Sequence, residues 1–105
     1  MNPHTPTDRE LLELAAKAAG IELPAHWSIH DPGAATFWNP LRHDGQALRL
    51  AVKLKLHLGL ESHTASAWGN QRYGQFRTET FADQSEEAAT RRAIVRAAAD
   101  LGAKL

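Results

Sequence analysis

Ala47-Leu48-Arg49-Leu50-Ala51-Val52-Lys53-Leu54-Lys55-Leu56-His57-Leu58 decides the fold, because it carries two periods at once. Ala47, Leu50, Ala51, Leu54 and Leu58 recur at helical spacing, whereas the last seven residues alternate apolar and polar at the spacing of a strand. A helix carried through to Leu58 would place Lys55 inside its apolar arc. The stretch therefore divides: a helix begins near Asp44, a good N-cap residue, and ends near Lys55, and a strand begins near Leu56.

The strand reading continues through Trp68. Leu58, Leu60, Ser62, Thr64, Ser66 and Trp68 fall on one face, and His57, Glu61, His63, Ala65 and Ala67 on the other. A turn at 69–72 and a second strand at 73–81, rich in aromatics and threonine, complete an antiparallel hairpin. Upstream, Thr7-Asp8-Arg9-Glu10 is a capping box that opens a first helix over 8–19, and Gly20 stands where a left-handed cap is expected. Residues 21–41 hold Pro24, Pro32 and Pro40. Around Trp27-Ser28-Ile29 and Ala35-Thr36-Phe37-Trp38 they fit two short strands or an ordered loop. Downstream, Asp83-Gln84-Ser85-Glu86 is a second capping box. The helix after it places Thr90, Ile94, Ala97, Ala98, Leu101 and Leu105 on one face. Glu87–Arg91 and Asp100–Lys104 are spaced as ion pairs, and Gly102 marks the last turn.

Helix, irregular segment, helix, hairpin, helix is an α+β order. Three helical faces and one small sheet fit a three-layer α/β/α sandwich with a small antiparallel sheet between helices. At 105 residues the chain is a single domain over 1–105, with 1–6 a loose N-terminal leader. Twelve basic residues balance twelve acidic ones, so charge does not call for a nucleic acid or a membrane. The absence of cysteine removes disulfides and thiolate chemistry. With no basic and apolar leader and no apolar run long enough to cross a bilayer, a cytoplasmic location is expected.

Three blocks carry a resemblance. They are Thr7-Asp8-Arg9-Glu10-Leu11-Leu12-Glu13-Leu14-Ala15-Ala16-Lys17-Ala18-Ala19-Gly20; Trp38-Asn39-Pro40-Leu41-Arg42-His43-Asp44-Gly45-Gln46-Ala47-Leu48-Arg49-Leu50-Ala51-Val52; and Ala88-Ala89-Thr90-Arg91-Arg92-Ala93-Ile94-Val95-Arg96-Ala97-Ala98-Ala99. In this order they resemble the phage ABA-sandwich domain family, small phage and prophage proteins. The resemblance implies helix–sheet–helix layers, a phage-derived origin and a bacterial host cell, and it implies no activity.

No catalytic residues are expected: there is no phosphate-binding glycine loop, no dinucleotide fingerprint and no nucleophile elbow. No cofactor is implied. His57, Glu61 and His63 share a strand face and are chemically adequate for zinc, but on one extended strand the two imidazoles stand roughly 20 Å apart, at about 3.3 Å per residue. They are read as polar residues on a sheet rim, and no metal site is expected. Arg91, Arg92 and Arg96 read as a solvated face laced with salt bridges. Gln46, Arg49, Lys53 and His57 form a polar and basic stripe on the second helix, which Arg42 extends.

The candidate binding residues are therefore Trp38, Asn39, Arg42, Asp44, Arg49 and Lys53. Trp38 offers a stacking wall, and the helix start at Asp44 offers free N–H groups to an anion. The leading expectation is a non-enzymatic accessory protein that binds a host or phage protein, in counter-defence or regulation. The alternative is a small-ligand or nucleotide-binding module at 38–44. A weaker alternative is nucleic-acid binding through Arg49 and Lys53, which the neutral net charge disfavours.

Overall fold

The computed structural model describes residues 6–24, 27, 38–69, 77–82 and 84–105. The expected leader, except Pro6, and both strand candidates near Ser28 and Ala35 lie outside the described residues, as do the turn at 70–72, the start of the expected strand at 73–81, and Asp83. The described order is α1 (Asp8–Ala19), α2 (Asp44–Leu54), β1 (His57–Leu60), β2 (Thr64–Trp68), β3 (Arg77–Thr80) and α3 (Glu86–Ala103).

α1 forms as its sequence dictates. The Thr7 hydroxyl accepts from Glu10 N–H, and Glu10 Oε1 accepts from Thr7 N–H, closing the capping box. At the other end Gly20 takes φ 72°. Its N–H reaches Lys17 O while Ile21 N–H reaches Ala16 O, so the last carbonyls are satisfied.

α2 ends in the same motif, but with a lysine at the left-handed position. Lys55 has φ 57° and ψ 42°, its N–H meets Val52 O, and Leu56 N–H meets Ala51 O. The helix thus stops at Leu54 and the strand starts at His57, within about a residue of the division drawn from periodicity. A Cβ costs energy in this conformation, so Lys55→Gly should stabilise the fold by up to about 1 kcal/mol. A higher midpoint in urea at unchanged slope is the expected readout.

The start of α2 corrects the sequence reading. His43 is the N-cap, without a side-chain cap bond, and Asp44 is the first helical residue. Asp44 instead accepts from Arg91 Nη1 at 2.6 Å, and Arg91 Nε also donates to Leu41 O. This cross-helix contact replaces the expected Glu87–Arg91 pair and pins the entry of α2 onto α3.

The strand expected from 57 to 68 is also corrected: it folds back on itself. β1 pairs antiparallel with β2, Leu58 opposite Ala67 and Leu60 opposite Ala65, around Ser62 and His63, with Glu61 N–H bonded to Thr64 O. The reason is parity. In one straight strand Leu58 and Leu60 would face away from Ala65 and Ala67. Folding back puts all four on the same face, and both alanines are fully buried there. β3 continues the meander in the order β1-β2-β3, with Ala65 opposite Glu79 and Ala67 opposite Arg77.

α3 begins two residues later than the capping box at Asp83 predicts. Ser85 is its N-cap and accepts from Ala88 N–H at 3.0 Å. The helix is buried far more widely than one face: Ala89, Ala93, Ile94, Val95, Ala97, Ala98, Ala99 and Gly102 are all inside. It packs against β2 and β3 on one side and against α1 and α2 on others. The α+β class holds, with helices packed on an antiparallel sheet. No described helix is long and apolar enough to cross a membrane.

The arginines of α3 reach other elements rather than their own helix. Arg92 contacts Asp8 of α1 at 2.8 Å, and Arg96 contacts Glu79 of β3. Asp100 holds Arg77 of β3 bidentately at 2.5 and 2.7 Å, replacing the expected Asp100–Lys104 pair. The hydrogen bond to Asp100 raises the Arg77 pKa against the opposing effect of burial, so this cation is firmly charged.

Candidate functional site

The loop entering α2 is built around Asn39, which is 2% exposed. Its Oδ1 accepts from Leu41 N–H, its carbonyl accepts from Arg42 and His43 N–H, and its own N–H donates to Gln46 Oε1 at 2.5 Å. Asn39 is therefore the pivot of the turn rather than a ligand-facing group. Pro40 beside it is fully buried. These bonds hold Trp38 half-buried against the core.

From that position Trp38 faces a cavity of about 350 Å³ with Ala19 and Ile21 from the end of α1 and Gln46, Leu50, Arg49 and Lys53 from α2. Helical spacing explains the second wall, since residues 46, 49, 50 and 53 share a face. The volume lies at the lower end of small-molecule sites, which run from roughly 300 to 1,000 Å³. The lining is chiefly hydrocarbon, with one indole, one amide and two cations.

Arg49 lies back over Gly45, and neither Arg49 nor Lys53 makes a hydrogen bond or ion pair with any described residue. The contrast with Arg77, Arg91, Arg92 and Arg96 is direct: these pair with Asp100, Asp44, Asp8 and Glu79. Two cations without a described partner beside an apolar hollow can receive an anion whose remaining surface is apolar.

Of the sequence-derived candidates, Trp38, Arg49 and Lys53 thus come together. Arg42 borders a different, polar hollow with Asp8, Glu79 and Arg92, and Asp44 borders a groove on the other flank of α2. His57 leaves the basic stripe altogether. It lies on the sheet and stacks on Trp68, with ring centroids 5.6 Å apart. The strand-length argument against a His57–His63 metal site no longer applies once the strand folds back. Among the described residues no three His, Asp or Glu side chains are grouped to hold a metal. The contribution of Ala19 and Ile21 had no sequence signal, because only tertiary packing brings the end of α1 to α2.

No family model, curated protein or solved structure matches this chain.

Proposed function

We propose that this protein is a small non-enzymatic binding domain that takes an organic anion with a flat apolar body, a mononucleotide or an aromatic carboxylate, in the Trp38–Arg49–Lys53 cavity. The observation that supports it is the pair of cations, without a partner among the described residues, at a mainly hydrocarbon hollow with an indole wall. The described lining offers no carboxylate, imidazole or hydroxyl to move a proton, which favours capture over turnover.

The test is thermal unfolding with AMP, adenosine and indole-3-carboxylate. A ligand that binds only the folded chain raises the melting temperature. AMP and the aromatic carboxylate are expected to raise it and adenosine is not. The rise should vanish in Arg49→Ala with Lys53→Ala and persist in Arg42→Ala. An equal response to adenosine would sink the anion reading.

The second reading is the phage-type accessory role, acting in the host cytoplasm by binding a host or phage protein. The resemblance of residues 7–20, 38–52 and 88–99 to phage sandwich domains motivates it. What favours it in the fold is an apolar surface, exposed on α2 and β1, that a protein partner would cover.

A further inference from the structure

Leu48 and Val52 stand one turn apart on α2, each 59% exposed, and Leu58 and Leu60 alternate on β1 at 39% and 67%. Leu48, Leu58 and Leu60 border a groove of about 300 Å³ that also includes Ala47 and Ile94, with Glu86, Glu87 and Asp44 around it. β1 is one edge of the described sheet.

The two edges differ. β3 turns Arg77 and Glu79 toward α3, and inward charges of this kind discourage strand addition. β1 presents two leucines on the same sheet face. The Glu61–Thr64 bond fixes the alternation of the β1–β2 ladder, so His57 and Gly59 bond to β2 while the N–H and C=O of Leu58 and Leu60 point outward. No bond joins those outward groups to another described residue.

We propose that this edge is the interface of a two-fold dimer, β1 adding antiparallel to β1 of a second copy. It starts from the apolar surface of the protein-docking reading and gives that surface a different occupant. Charge order selects the occupant. Lys55 and His57 lie at the start of β1 and Glu61 follows its end, while Glu86 and Glu87 flank the groove. Antiparallel addition lays the basic end of each copy on the acidic end of the other, a match that any two-fold copy supplies by symmetry.

The outward groups also fix the register. Leu58 exchanges hydrogen bonds with Leu60 of the second copy, Gly59 meets its own equivalent at the axis, and His57 lies opposite Glu61 of the second copy. The incoming leucines then point to the groove side, where Leu48 and Val52 of the two α2 helices are covered together.

Sedimentation and light scattering across a dilution series test the full chain. A dimer that dissociates on dilution is expected. Leu60→Glu should weaken it by roughly a hundredfold, because a carboxylate would enter an apolar seam, while leaving circular dichroism and the melting curve of the monomer unchanged. The chain has no cysteine of its own, so Gly59→Cys, whose Cβ would meet the Trp68 ring at 3.3 Å and displace it by a few tenths of an ångström, should yield a single disulfide-linked dimer under oxidation. A monomer at every concentration without that cross-link overturns the dimer and leaves the host-protein reading standing. A dimer indifferent to both Leu60→Glu and Glu61→Lys overturns this edge as its interface.

Discussion

Gly102→Ala is expected to destabilise the fold by about 3 kcal/mol or more, beyond the usual cost of one added methyl in a packed core. A Cβ at 102 would fall on the backbone carbonyl of Leu14, where α1 and α3 cross. A backbone carbonyl held in a helix cannot turn aside as a side-chain tip can, so the helices must separate. That separation loosens the most extensive helix–helix contact of the molecule, which buries Leu11, Leu12, Ala15 and Ala19 of α1 with the alanines of α3. For a domain of this size the melting temperature should fall by roughly 15 °C or more. Gly45→Ala is the control: its Cβ meets only Arg49, at 3.7 Å, and alanine in a helix should stabilise by up to about 1 kcal/mol. A Gly102→Ala protein with an unchanged denaturation midpoint would show that α1 and α3 do not approach this closely.

Gly102 also marks where sequence reading reached its limit. A glycine near the end of an alanine-rich helix reads as a mark of the last turn, and Gly102 does lie there, but it also serves a crossing that only the tertiary fold creates. Local chemistry was legible: the Thr7–Glu10 box, the left-handed Gly20 and the break at Lys55 each follow from a few neighbouring residues. The turn at 61–64 was written in the sequence as well. The apolar residues switch from even positions, Leu58 and Leu60, to odd ones, Ala65 and Ala67, and a strand cannot change parity without a turn or bulge. Partners distant in sequence were not legible. Glu87 and Asp100 have basic residues at ideal helical spacing, but Arg91 and Asp100 bind Asp44 and Arg77 instead. At the candidate site, the spacing of Gln46, Arg49 and Lys53 anticipated one wall, and the α1 wall had no local signature.

Arg96→Met is expected to cost about 2 kcal/mol, between an exposed pair worth under about 1 and a fully buried one worth roughly 3 to 5. The asymmetry of the pair sets this value. The Glu79 side chain is 11% exposed and faces α3 from β3, whereas Arg96 is 36% exposed. Removing the arginine leaves a mostly buried carboxylate with a long hydrogen bond from Gln84 Nε2, at 3.4 Å, and the field of Arg77, whose guanidinium is already clasped by Asp100. Neutralising the acid as well should restore most of the loss, so Arg96→Met with Glu79→Gln should lie within about 1 kcal/mol of the native chain, and the double-mutant cycle should show strong coupling. Equal losses for the single and double variants would mean that Arg96 acts through its hydrocarbon stem alone. The pair would then owe its place to packing, and the sheet would be held on α3 by Ala65, Ala67 and the Arg77–Asp100 clasp.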